Sequence, residues 1–186
     1  DRTEWFMTPP TVNAYYSDLS NDINFPAGIL QPPFYFQHGD NAVNYGAIGM
    51  IIGHEMTHGF DDQGSKFDKY GNMENWWAKE DREKFEKRAD RIVKQFDQFT
   101  LLDTVHVNGK LTEGENIADL GGLSIAYTAF KKTKEGQSDT LINGMTPDQR
   151  FFMANTQNWR EKYRPQIELL YINTDPHSPD RYRVNG

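Results

Sequence analysis

The stretch IGMIIGHEMTHGFDDQG, residues 48–64, decides how the rest of the chain is read. Ile48, Ile51, Ile52, Glu55 and His58 recur at spacings of three and four, which predicts a helix from about Ala47 to Phe60. On a helix His54 and His58 lie one turn apart, so both imidazoles leave the same face at the spacing two zinc ligands need. Glu55 is turned about 100° away, from where a carboxylate reaches a water beside the metal without occupying the metal. The alternative is a chance pattern on a solvated helix face; the H-E-x-x-H spacing in a chain with only five histidines favours the metal. Three glycines in or beside the segment would weaken an isolated helix, so tertiary packing must hold it.

The composition limits what such a site sits in. At 186 residues the chain is one domain, or part of one, long enough to bury a real core. Its hydrophobic fraction is 37%, and no apolar run approaches the roughly 18 residues of a membrane span, so no membrane contact is expected of it. The net charge of −7, with no Lys/Arg stripe, argues against nucleic acid as a partner. There is no cysteine, so any metal takes histidine and carboxylate ligands. The chain opens on Asp1 rather than Met and ends on Val184, Asn185 and Gly186, as expected of a piece of something longer.

Along the chain, TVNAYY (11–16) suits a short strand, and INFPAGILQPPFYF (23–36) reads as proline-punctuated irregular chain with apolar anchors. Gly71 and Asn72 mark a turn. An amphipathic helix is expected from Ala78 to Phe99, with Phe85, Ala89, Ile92, Val93 and Phe96 on one face. A turn at Asn108 and Gly109 precedes a helix over Glu113–Lys132, and TPDQ (146–149) is a capping box that opens a helix running to about Tyr163. His38 and His106 fit no ligand spacing and read as surface or structural residues.

A catalytic zinc takes three protein ligands and leaves one position open, so a third ligand must come from elsewhere. GENIAD (114–119) places Glu115 and Asp119 four apart on the helix expected there. One carboxylate suits the metal, and the other suits the free N–H of a ligand histidine. A solvated acidic face is the competing reading of that pair taken alone.

NAYY (13–16), GHEMTHGFDDQG (53–64), GENIADLGGL (114–123) and TDPHSPDRYRVNG (174–186) stand in the order and at about the separations of the neprilysin and endothelin-converting-enzyme family of zinc metallopeptidases. The resemblance covers essentially the whole chain. It implies an α+β, mainly helical, thermolysin-like catalytic domain over residues 1–186, holding one zinc ion and hydrolysing internal bonds of oligopeptides. It also implies His54, His58 and Glu115 as zinc ligands, Glu55 as general base, and Asp119 and Asp61 as supporting carboxylates. His177 matches the family's donor to the developing oxyanion, and Arg183 its contact to substrate carbonyls. Asn13 and Ala14 match the pair that holds the peptide main chain, which suits an edge strand. Ile29, Phe34, Met50, Ile51 and Trp159 match the pocket for the residue after the cleaved bond, from which a preference for large apolar residues such as Phe or Leu is expected.

The resemblance further implies a separate N-terminal helical domain, a C-terminal segment beyond Gly186 and an envelope, periplasmic or secreted setting. Animal members carry cysteines where this chain has Arg91 and Arg160, so a bacterial origin is expected. Two rival readings are a peptide-binding module whose zinc is structural, which the presence of Glu55 disfavours, and a zinc hydrolase of non-peptides, which NAYY disfavours.

Overall fold

Gly53 sits where two helices meet backbone to backbone. In the computed structural model, which describes residues 3–102 and 104–186, α2 (Met50–His58) crosses α4 (Glu113–Phe130) with no room for side chains between them. A Cβ on Gly53 would lie 2.8 Å from the Gly122 carbonyl oxygen, and a Cβ on Gly122 would lie 2.6 Å from the His54 nitrogen. Glycine is the one residue that permits such an approach. The crossing sets His54 and His58 opposite Glu115 and Asp119, the two pairs spaced four apart in the sequence.

The helix expected from Ala47 begins earlier, at α1 (Asn41–Asn44), and runs through a π-helical turn (Tyr45–Gly49) into α2. Its start is capped by Asp40, whose side chain accepts the Val43 N–H at 2.8 Å, and by Glu135, which accepts the Asn41 N–H at 2.8 Å. Glu135 is 94 residues away, so half of this cap has no local signal. In the π turn, Gly46 lies against α5 (Pro147–Asn158), where a Cβ would meet the Phe151 carbonyl oxygen at 2.1 Å. The main core forms around this contact from Ile29, Ile48, Met50, Ile51, Ala126, Phe130 and Phe151, with Phe34 and Trp159 packed at its margin.

Other expected elements shift at their ends. The strand expected over 11–16 forms as β1 (Tyr15–Ser17), antiparallel to β2 (Asp22–Asn24), which the irregular reading of 23–36 had not anticipated. Asn13 and Ala14 stay out of the ladder because the Asn13 side chain itself accepts the Ala14 N–H at 2.9 Å. α3 (Lys79–Phe96) stops short of Phe99, and α4 stops at Phe130. The capping box at Thr146 forms in both directions, yet α5 stops at Asn158 rather than Tyr163.

Pro165 is the reason for a fresh start downstream: it holds Arg164 in an extended conformation and occupies the first turn of α6 (Pro165–Thr174). Neither α6 nor α7 (Asp180–Asn185) was expected from the sequence. They close a second core in which Ile172 and Tyr182 meet Phe96, Leu101 and Val107, beside the hairpin of β3 (Thr100–Leu101) and β4 (Val105–His106). Among the described residues, no helix is long and apolar enough to cross a membrane.

Candidate active site

The α2–α4 crossing brings one ligand atom from each of His54, His58 and Glu115 within 4.8 Å of the others. The two Nε2 atoms are 3.0 Å apart, and the Glu115 carboxylate lies 3.2 Å from His54 Nε2 and 3.7 Å from His58 Nε2. Behind them, His54 Nδ1 faces Asp119 at 2.9 Å and His58 Nδ1 faces Asp61 at 2.7 Å. A carboxylate only accepts, so each ring donates its Nδ1–H outward and, when neutral, turns an Nε2 lone pair inward. Glu115 Oε2 is buried and also lies 3.2 Å from His177 Nε2, with no aligned hydrogen bond to either histidine. Two inward lone pairs and an unpaired carboxylate oxygen make a donor set that fits a divalent cation of zinc's preference.

The supporting carboxylates are themselves fixed. Asp61 accepts the N–H groups of Gln63 at 2.8 Å and Gly64 at 2.7 Å through its second oxygen. Asp119 receives both arms of the Arg183 guanidinium at 2.7 Å, and that guanidinium stacks 3.8 Å over the Trp159 ring. Arg183 thus braces the partner of His54 while it lines the cavity.

Charge follows this geometry. Burial pushes the His54 imidazole down, but Asp119 and Glu115 outweigh it and raise it to about 9, so in the absence of metal a proton occupies the cluster. Burial alone would raise Glu115 and Asp119, yet His54 holds Glu115 down to about 2 and Arg183 holds Asp119 down to about 2. Glu55, 5% exposed beside the histidines, is raised above the usual glutamate range, first by burial.

The cluster opens into a cavity of about 520 Å³, lined also by Glu55, His177, Asn13, Ala14, Ile29, Phe34, Ile51 and Trp159. Met50 is the exception among the expected pocket residues: at 2% exposed it points into the core and does not line the cavity. The reason is its place on α2, on the face that packs against Phe130 and Phe151. His177 is presented by the segment between α6 and α7. Asp175 accepts its Nδ1–H at 2.7 Å, and the next residue, Ser178, is buried and bonded to Asn116 of α4 at 2.8 Å. Asn116 in turn donates to Thr112 at 2.9 Å, so the loop is tied to the same helix as Glu115. His38 is exposed, and His106 bonds the Asp97 carbonyl at 3.0 Å; neither joins the site.

Several wall residues had no sequence signal: Asp18, Asn158, Glu161, Tyr163 and Asp180. Asp175 was not singled out either, although its place two residues before His177 in TDPHSP is a signal that could have found it. Burial and the neighbouring Glu161 push Asp180 up to about 6.

The family model described as peptidase family M13 matches residues 13–186. Mouse endothelin-converting enzyme 1 is 47% identical over all of this chain, which covers 24% of that enzyme, and neprilysin-11 of Caenorhabditis elegans is 47% identical over all of it, covering 22%. The structure is similar to the crystal structure of Mycobacterium tuberculosis zinc metalloprotease ZMP1 in complex with an inhibitor, with a TM-score of 0.96 and 49% identity, over all of this chain and 29% of that one. PepO from Lactobacillus rhamnosis HN001 gives a TM-score of 0.90 at 38% identity, over all of this chain and 28% of that one. The chain spans about a quarter of the length of the curated relatives it matches.

Proposed function

We propose, since the chain belongs to peptidase family M13 and has the mainly helical, thermolysin-like fold its motifs imply, that it carries the catalytic centre of a zinc-dependent endopeptidase acting on oligopeptides. The observation that carries this reading is the three-ligand cluster of His54, His58 and Glu115, open to a cavity with a buried Glu55 on its wall. Zinc held by these three residues would supply a Lewis acid for the scissile carbonyl and an acidified water.

The chain's own residues do the rest. Glu55, its carboxylate basicity raised by burial, takes the proton of the attacking water and returns it to the leaving amine. His177, in its protonated form, donates Nδ1–H to Asp175 and directs Nε2–H at the oxygen on which negative charge develops. Asp119 and Asp61 keep the ligand rings in the tautomer that binds metal. Asn13 and Ala14, which lead into β1, hold the peptide main chain, and Arg183, which lines the same cavity, contacts substrate carbonyls. Ile29, Phe34, Ile51 and Trp159 receive the residue after the cleaved bond, which favours cleavage on the amino side of large side chains. A buried base at the ligand cluster has no use in a purely structural zinc site, so the peptide-binding alternative is set aside.

The same reading places a helical domain elsewhere in the polypeptide and the whole protein in the cell envelope or outside it. The length of the relatives supports the first. The test is metal content by mass spectrometry and cleavage of a quenched fluorescent peptide, both on the whole polypeptide that carries this chain. One zinc per polypeptide is expected, with a loss of turnover of at least about a hundredfold in Glu55→Gln and zinc retained. Folded protein without zinc, or undiminished turnover in Glu55→Gln, would overturn it.

A further inference from the structure

Six buried side-chain polar atoms among the described residues lack a hydrogen-bond partner, and four of them belong to three residues of the cavity wall: Glu115, Asn158 and Trp159. The ligand cluster accounts for Glu115. It does not account for Asn158, the last residue of α5, which is 8% exposed and has neither its amide oxygen nor its amide nitrogen paired. Trp159 Nε1, on the next residue, is unpaired as well. Both residues line the cavity alongside Ile29, Phe34 and Ile51, in a lining that also carries Glu161, Tyr163, Asp180 and Arg183, and the amide atoms themselves are buried in that wall.

A buried amide without partners costs stability that an aliphatic side chain would not, so the arrangement becomes favourable once a water or a substrate group that the wall yields to completes the bonds. An all-hydrocarbon side chain cannot do this. A side chain with an apolar body and a neutral polar tip fills the same wall and pairs the amide. Sites that hydrogen-bond a substrate group discriminate strongly against the analogue lacking it, because the protein's own groups are then left unpaired.

We propose that Asn158 is a specificity-determining residue, which makes the pocket select, after the cleaved bond, large side chains that end in a neutral hydrogen-bonding group, tyrosine over phenylalanine. This rests on the peptidase reading above and refines its preference for large apolar residues. Tyrosine and phenylalanine differ by one hydroxyl, which makes them the matched pair for the test.

The experiment compares kcat/KM for two quenched fluorescent peptides that differ only in Tyr or Phe after the scissile bond. It uses the whole polypeptide and its Asn158→Leu and Asn158→Ser variants, with thermal melting of each. The wild type is expected to favour Tyr by about tenfold, ~1.4 kcal/mol. In Asn158→Leu that ratio should fall to about one or invert, mainly through faster cleavage of the Phe peptide, and Tm should not fall. Asn158→Ser, which keeps a hydrogen-bonding group of smaller size, should retain part of the preference and covers the case in which leucine misfolds. The same Tyr-to-Phe ratio in wild type and variants would overturn the proposal and leave the peptidase reading standing, and a lowered Tm in Asn158→Leu alongside it would assign the amide to buried water. Cleavage of neither peptide by the zinc-loaded wild type would overturn both.

Discussion

Asp119 is the residue on which the most contacts of the site converge: it accepts from His54 on one side and from both arms of Arg183 on the other. Removing its charge leaves a buried guanidinium without its counter-ion and a ligand ring without its acceptor. Asp119→Asn is therefore expected to lower stability by about 3–5 kcal/mol and zinc affinity by ~10–100-fold, measured by denaturant unfolding and metal titration. The pH dependence gives a second check. The Asp119 carboxyl is held down to about 2 from an ordinary 3.8, so its contribution is fully present above pH 3.8 and is lost as pH falls through about 2. The stability gap between wild type and Asp119→Asn should be constant at neutral pH and close as pH drops between those values. A gap that stays open at pH 2 would mean that the charge is not what Asp119 contributes.

At the scale of elements, the site depends on how near α2 and α4 approach. Gly122→Ala would gain about 1 kcal/mol of helix propensity in an isolated helix. Here the added Cβ falls 2.6 Å from the His54 nitrogen and 2.7 Å from the Met50 carbonyl oxygen, both backbone atoms that move only if the helices separate. The expected outcome is a net loss of about 1–3 kcal/mol or more, together with weakened zinc binding, because separation pulls Glu115 from the histidines. Gly49→Ala is the control: its nearest contact would be 3.4 Å, and it should be neutral or stabilising. Equal melting temperatures and zinc contents for the two variants would sink the close-approach account. The helix itself was legible from the periodicity of residues 48–58. Its true start at Asn41 was not, because the cap is shared with Glu135 and because Gly46 is tolerated only through its contact with α5.

For the whole molecule, metal and protons compete for the same cavity. In metal-free protein the His54 imidazole is raised to about 9 from an ordinary 6.5. A raised group stabilises fully below 6.5 and loses that contribution as pH rises through about 9. Zinc binds the neutral ring and stabilises through mass action in proportion to its free concentration over its Kd. The chelated protein should therefore lose Tm between pH 6.5 and 9 while the zinc-loaded protein does not, so the difference between the two melting curves widens across that window. Parallel curves would argue that the two histidines do not share one cation.

The sequence by itself determined which side chains are paired on each helix face. Residues four apart on a helix share a face whatever surrounds them, so His54 with His58, and Glu115 with Asp119, were readable from spacing alone, as was the capping box at Thr146. The family likeness of four ordered motifs carried His177 and Arg183, which no local pattern would have singled out. Only the tertiary structure decided that Glu115 turns towards both Nε2 atoms while Asp119 takes the Nδ1–H of His54, that Arg183 is locked onto Asp119, and that Met50 faces the core instead of the cavity. It alone revealed α6 and α7 closing a second core, and the unpaired amide of Asn158. The physical reason is one of range: helical periodicity and caps act over three or four residues, whereas the glycine contact, the shared cap and the cavity wall join atoms that are far apart in the chain.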